Sequence, residues 1–530
     1  MEEKLTADIA APPSGSPTAP QATPPAFDAP ETPERLGKTL KPHWVWAIAL
    51  GSAVGWGAFI LPTDWLAMAG PGGAIAGFTI GAAMMMLIAV SYGLLIRSFP
   101  VSGGELAYAL VGFGRTHAFI CGWFLTLGYA CIVALNASAL GLLFRYILPG
   151  IVQQGQLYTV AGYEVYLVEI LISMTALVVF GVLNIRGAAL SGRLQFIACC
   201  IMLVAVAAIF VAVVIQPETV LSNTRPAFPS EVSPVAAILA IVAIAPWAYV
   251  GFDNVPQAAE EFDFAPAKAM RLIVLALAAA ALIYAAMISA IALTEPWQQL
   301  VAGQSAWGSA EALTGLLGGG GLLLLAIGIT MGVSTGLNGF YLSSSRLMLA
   351  MGRAQMIPQA FARLHPKHKT PYVGIIFVGA ITLITPWFGR AALLWIVDMS
   401  AVGVTIAYLY TCLVAFRLFR TSGAPERPGE LEATSSTLKK GMSLIGAVIA
   451  VTFMALLLLP GSPALLGPES LIALGIWVLL GVVFFLSRRA HSKTLTDDQV
   501  DLLVLGAPRP EFMALGRGRA TTAPQTASTD

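Results

Sequence analysis

Two short runs contain the residue types that can grip a small solute at membrane depth. The first is Gly51-Ser52-Ala53-Val54-Gly55-Trp56-Gly57, followed by Pro62. The second is Pro246-Trp247-Ala248-Tyr249-Val250-Gly251-Phe252-Asp253, followed by Pro256. Glycine accepts backbone angles that a helix does not use, and proline lacks the amide hydrogen that a helix needs. Each run can therefore interrupt a helix and bare its main-chain groups. Where a half-helix begins, those groups are N–H donors that attract an anion. The amides of Ser52, Ala53, Val54, Gly55, Trp56 and Gly57 thus suit a carboxylate. Where a half-helix ends, they are carbonyls that suit an ammonium, and Tyr249, Val250 and Gly251 are placed to supply them. A zwitterion is then read at both ends without an unpaired buried charge, which is costly to desolvate. Trp247, Tyr249 and Phe252 cluster beside the second run. They face lipid and core, or they close over the solute as an aromatic gate whose ring faces also favour an ammonium.

Ionisable groups inside apolar runs are expensive and tend to be functional. Asp64, Asp253 and Asp398 are the candidates. Asp253 follows the second run directly and is expected to be a hinge anchor or a proton-linked group. Asp64 and Asp398 equally suit helix caps or a wet interface. Glu260 and Glu261 are expected on the inner side with Lys268 or Arg271, as a closing contact or a solvated charge cluster. A later apolar run carries Ser334, Thr335, Asn338, Ser343, Ser344 and Ser345. Such hydroxyls bond back to their own or neighbouring helices, line a solute site, or offer oxygens to Na⁺. Asn338 is the side-chain candidate for solute contact here, and Ser334 and Thr335 are candidates for coupling.

These residues need a scaffold, and composition says which. Of the 530 residues 57% are apolar and 11% charged, whereas a soluble domain carries roughly 25% charged residues. Apolar runs of about 20 residues, the length that crosses a ~30 Å hydrocarbon core, recur along the chain. Lipid offers backbone groups no partner, so continuous runs of this length must be helices. Twelve spans are predicted, near 44–69, 73–97, 118–148, 164–184, 192–215, 234–258, 270–293, 321–350, 372–389, 391–416, 441–460 and 467–487, with a very short turn at Pro386 and Gly389. With the N-terminus inside, all but Arg145, Arg225 and Arg390 of the 29 Lys and Arg fall on the cytoplasmic side, as the positive-inside rule requires. Both termini are then cytoplasmic. Residues 1–41, acidic at the start and rich in Pro, Ala and Thr, form neither a leader nor a core and are expected to be a disordered tail. Residues 491–530 form a second polar tail.

The two glycine-proline runs lie five spans apart, so they occupy matching places in units of opposite orientation, about 42–215 and 234–417, with 441–487 outside the repeat. Interrupted helices at matching positions of two inverted halves mark a transporter's binding site. The five cysteines all lie in apolar runs without zinc-ligand spacing, and the five histidines lie at span ends or inner loops. No cofactor or metal is expected. A net charge of +1 without a basic stripe excludes a nucleic-acid partner.

The chain also resembles the amino acid/polyamine/organocation superfamily of permeases. Gly51 to Phe59 looks like its first-span glycine motif. Pro100-Val101-Ser102-Gly103-Gly104-Glu105-Leu106-Ala107-Tyr108 is similar to its loop after span 2, and Trp247 to Asp253 to its sixth-span motif. Asn338-Gly339 through Ser345-Arg346, Met351-Gly352-Arg353 and His365-Pro366-Lys367-His368-Lys369-Thr370-Pro371 match span 8 and the loop beyond. The resemblance implies a LeuT-type 5+5 inverted repeat, alternating access, a substrate carboxylate on the span 1 amides, span 6 carbonyls for the amine, and Trp247 as gate. Asp253 stands where a Glu is usual, and Met202 where some members carry a coupling Lys. Arg193 lies too near the inner end to replace that Lys. The expectation is an amino acid transporter in the cytoplasmic membrane, with uptake preferred to exchange, coupled to H⁺ or Na⁺, or to no ion in an exchanger. Its rivals are an amine or polyamine carrier, which wants several acidic groups in its cavity, a channel, and a membrane-embedded enzyme, which wants a clustered nucleophile, base or metal set.

Overall fold

The computed structural model of the chain describes residues 34–160, 162–303, 307–389, 391–419, 436–462, 465–492 and 495–506. Among them nine helices are long and apolar enough to cross a membrane, from Pro62–Ser98 to Pro468–Ser487. The protein is a multi-pass helical membrane protein. The expected spans 1, 6 and 9 are built instead from shorter helices. Pro42–Val54 and Gly57–Ile60 form the first. Pro234–Ala243, Ala245–Ala248 and Asn254–Gln257 form the sixth. Tyr372–Thr382 and a 3₁₀ turn at Thr385–Phe388 form the ninth. Helix Pro62–Ser98 bends at Gly70, whose φ of 65° precedes Pro71, so the predicted boundary between spans 1 and 2 is a kink within one helix.

Faces sort by solvent, here hydrocarbon. Helix Ala188–Val214 turns Ile197, Ile201, Val204 and Val211 outward and buries Cys199, Met202, Val206 and Ile209. These rows follow the three- and four-residue spacing of a helix with one packed stripe. Helix Arg115–Ile147 is the innermost, packed between Gly319–Arg353 and Ala391–Leu418. An antiparallel hairpin, Gln156–Val160 with Tyr163–Tyr166, covers one end and is tied down by Arg145 through Glu164 and Glu169.

The opposite end is closed by buried charge. Glu261 meets Arg346 at 2.7 Å and Glu260 meets Arg353 at 2.9 Å, with all four side chains buried. These partners replace the expected Lys268 and Arg271, because helix Gly319–Arg353 delivers its basic end onto the acidic turn. Burial pushes the Glu260 carboxyl up, but Arg353, the amide of Leu36 and Ser102 together hold it below the usual carboxylate range.

Residues 34–40, placed with the loose tail on composition, lie across this ion-pair layer as an extended strap. The amides of Thr39 and Leu40 donate to the Glu261 carbonyl, both at 2.9 Å. The Leu36 amide donates to Glu260 Oε1, and Arg353 donates to the Glu34 carbonyl. Residues 1–33 of the expected tail lie outside the described residues. Of the second tail, Asp497–Leu505 is a helix with a Thr496–Gln499 capping box. It buries Val500, Val504 and Leu505 and pairs Asp497 with Arg115. The two described ends thus meet on one face, where Gly506 lies against Arg35.

Removing one partner of a buried ion pair strands the other charge and costs about 3–5 kcal/mol, whereas replacing both is near neutral. Arg346→Met is expected to lower the thermal stability of the detergent-purified protein by that order, and Arg346→Met with Glu261→Leu to recover most of it. A single variant that melts with the parent contradicts a buried pair.

Candidate functional site

The first break opens at Gly55, whose φ of 52° and ψ of −150° end helix Pro42–Val54. The chain resumes at Gly57–Ile60 after Trp56. A new helix leaves its first amides without a carbonyl one turn back. The second break runs from Tyr249 to Asp253 and centres on Gly251, with φ 129°. The breaks are drawn together by absent side chains. A Cβ on Gly251 would stand 2.6 Å from the Ala53 nitrogen, and one on Gly332 would stand 2.1 Å from the Gly55 carbonyl oxygen.

Continuous helices hold the loose backbone. The Thr335 hydroxyl lies 2.9 Å from the Gly51 carbonyl, which it shares with the carbonyls of Gly332 and Met331. The Tyr284 hydroxyl reaches the Ala248 carbonyl at 2.7 Å and the Ala53 carbonyl at 3.1 Å, spanning both breaks. Gln195 donates to the carbonyls of Ala47 and Thr335. Asp253, fully buried, accepts from the Gly251 amide at 2.6 Å and from the Tyr129 hydroxyl at 3.0 Å.

Between the breaks is a small cavity of about 30 Å³, lined by Ser52 to Gly57, by Ile132, Leu135 and Asn136 of helix Arg115–Ile147, and by Trp247, Ala248, Val250 and Tyr284. That volume admits water and is too small for an amino acid, so the cavity in this state does not hold one. Its lining contains no charged side chain. Asn136 is buried, donates from Nδ2 to the Ile132 carbonyl, and has no partner for Oδ1. The Ser52 hydroxyl is likewise buried without a partner. Trp247 packs edge-on against Trp56 with centroids 6.1 Å apart. It also forms a wall of a larger neighbouring cavity of about 320 Å³ with Ile244, Asp398 and Leu457.

Six of the seven residues of the first run, Ser52 to Gly57, reach the cavity, as do Trp247, Ala248 and Val250 of the second. Gly251 lies behind the lining, against Ser52 and Ala53. Tyr249 and Phe252 turn away from it. The Tyr249 hydroxyl donates to the Phe78 carbonyl, and Phe252 stacks against Tyr408 and meets Tyr92 edge-on. Asn338 does not line the cavity. Its Nδ2 donates to Gln195 Oε1 and the Ser191 carbonyl, and its Oδ1 accepts from Asn184 and Ser191, so a structural bridge to helix Ala188–Val214 consumes its hydrogen-bonding capacity. Ser334 is half-buried in helix Gly319–Arg353. Asp64 sits exposed in the first turn of Pro62–Ser98, where a carboxylate favours the helix dipole. Asp398 accepts from Ser470 at 2.7 Å and lines only the neighbouring cavity. Asn136 and Tyr284 were not singled out from the sequence. A lone amide in an apolar run is the one signal that could have found Asn136.

Comparison with known proteins agrees with this architecture. The sequence pattern of the amino acid permease family matches residues 44–484. The chain is 27% identical over 474 residues to the branched-chain amino acid permease BcaP of Bacillus subtilis, covering 84% of this chain and 92% of that protein. It is 27% identical over 480 residues to the methylthioribose transporter of the same organism, covering 86% and 95%. It is 27% identical over 414 residues to L-asparagine permease 1 of Mycobacterium tuberculosis, covering 74% and 79%. With a helical membrane scaffold, two broken helices around one small cavity and a family match over most of its length, the chain belongs to the amino acid permease family and is a transporter, not an enzyme.

Proposed function

We propose that the protein is a secondary active transporter that takes up a neutral amino acid with an apolar side chain across the cytoplasmic membrane, by alternating access and coupled to protons. The observation that carries this reading is the convergence of both helix breaks on one small cavity with no charged side chain in its lining. In this reading the substrate carboxylate meets the amides around Gly55 to Gly57. The ammonium meets the carbonyls near Ala248 and Val250. The side chain packs among Val54, Ile132, Leu135 and Val250. Trp247 closes the cavity toward its neighbour, and the buried ion pairs Glu260–Arg353 and Glu261–Arg346 close the other end.

The reading has twelve spans, both termini in the cytoplasm, and five-span units of opposite orientation that place the two breaks at matching positions. A polyamine fits poorly, because the lining offers it no carboxylate. Protons are preferred to Na⁺ because the Thr335 hydroxyl is directed at protein carbonyls. Asp253 acts as the anchor of the second break. The methylthioribose transporter among the relatives favours a second reading, a neutral polar solute without a carboxylate.

Purified protein in liposomes, given radiolabelled L-leucine, L-asparagine or methylthioribose under imposed pH or Na⁺ gradients, tests these readings. Leucine accumulation driven by an inward proton gradient is expected. Uptake of methylthioribose alone, or accumulation driven by Na⁺ alone, contradicts the proposal.

Two variants test the site. Trp247→Ala removes an aromatic wall worth roughly 1–2 kcal/mol to a bound cation, so the apparent KM for leucine should rise about 5- to 30-fold. An unchanged KM places Trp247 outside the binding site. Gly251→Ala drives a Cβ into the Ser52–Ala53 backbone and should abolish leucine binding measured by scintillation proximity. Gly55→Ala meets open space and bears only the backbone cost of positive φ with extended ψ, on the order of 1–3 kcal/mol. Equal binding by the Gly251 variant and the parent contradicts the close approach of the two breaks.

A further inference from the structure

We infer that Glu105 carries the coupled proton, in a buried polar cluster between the second broken helix and the ion-pair layer that closes the face bearing the termini. This rests on the proton-coupled reading above and assigns it an atom.

Glu105 opens helix Gly104–Phe113 after a tight turn at Gly103, which abuts Ala350 of helix Gly319–Arg353. Gly104 abuts Pro256 of the second broken helix. The turn is therefore clamped between the two elements that alternating access must separate. The Glu105 carboxyl is fully buried. Its Oε2 accepts from Gln257 Nε2, at 2.5 Å, and its Oε1 is buried without a partner. Gln257 Oε1 and the hydroxyls of Ser102, Tyr92, Tyr108 and Tyr408 are also buried without partners. Among the described residues no Lys, Arg or His forms an ion pair with Glu105 or Asp253.

Two buried carboxyls thus share one segment, Asp253 directly and Glu105 through Gln257 four residues on. They are provided for differently. Asp253 has a donor on each oxygen, from Gly251 and Tyr129, which suits a carboxylate. Glu105 has one close donor, Gln257, with the Tyr92 hydroxyl also facing it, and no cation. An ionised carboxylate so buried is costly, and a second negative charge on Asp253 raises that cost. As a carboxylic acid Glu105 is neutral, and its O–H has several unpartnered oxygens to choose from. The other titratable groups facing it are the phenols of Tyr92, Tyr108, Tyr129 and Tyr408 and the thiol of Cys121. Beyond Ser102 lies Glu260, whose Oε2 is 3.4 Å from the Ser102 amide and whose charge Arg353 offsets.

Gln257 and Glu260 lie three residues apart on the segment that carries both the cluster and the gate. When Glu260 parts from Arg353, water reaches Glu105. The acid then releases H⁺ to that water and remains as a hydrated carboxylate. Reclosing strips the water and leaves a buried carboxylate, a costly state that ends when the breaks open to the other face and one proton from that side returns to the same oxygen. Only the O–H bond of Glu105 changes.

The test uses the full chain in liposomes with radiolabelled L-leucine. Glu105→Gln removes the titration and keeps the neutral shape. It should retain leucine counterflow without a gradient, while accumulation driven by an inward proton gradient falls at least tenfold, to the level without a gradient. Accumulation at the parental level overturns the proposal. If Glu105→Gln also loses counterflow, Glu105→Asp decides. Gradient-driven accumulation with a shifted pH profile supports the assignment, and an unshifted profile overturns it. A parent protein that exchanges leucine but never couples it to protons fails the broader reading instead.

Discussion

Hydrocarbon cannot hydrogen-bond, and the structure depends on that constraint. A helix interrupted at membrane depth leaves amides and carbonyls that only protein or trapped water can satisfy. Both interruptions are accordingly placed inside the bundle and held by side chains of unbroken neighbours. Thr335 takes the carbonyl of Gly51, Tyr284 bridges Ala53 and Ala248, and Asp253 takes the amide of Gly251. At the cavity itself, Asn136 Oδ1 and the Ser52 hydroxyl remain without a partner. The polarity available to a solute is thus what remains after the scaffold has met its own needs.

In the proposed reading the two closures of the site rest on different physics. One wall is an indole packed on another indole, Trp247 on Trp56, which shifts by a side-chain rotation with modest loss. The other end is a pair of buried Arg–Glu contacts, whose separation leaves charges that must be hydrated at once. The second closure is therefore all-or-none and sensitive to whatever neutralises or hydrates its members, while the first is graded.

The breaks were legible in the sequence because glycine and proline act locally, and Gly55 and Gly251 stand at them. The sorting of aromatic residues was not. Trp247, Tyr249 and Phe252 are neighbours in the chain, but a non-helical stretch has no period from which to assign faces, and only Trp247 meets the cavity. Asn338 looked like a solute ligand because its run is polar. Its partners on Asn184, Ser191 and Gln195 are some 150 positions away and leave no trace in the local pattern. Glu260 and Glu261 were matched to the nearest basic residues, whereas folding brings them Arg353 and Arg346. The loose composition of residues 34–40 hid backbone groups that the acidic turn uses.

The strap at Glu34–Leu40 ties these closures to a part of the chain outside the bilayer. Its amides and carbonyl complete the hydrogen bonding of Glu260, Glu261 and Arg353, and Arg35 within it touches the C-terminal helix at Gly506. Whatever displaces this strap therefore unsettles the buried ion pairs themselves, from a segment that does not approach the cavity.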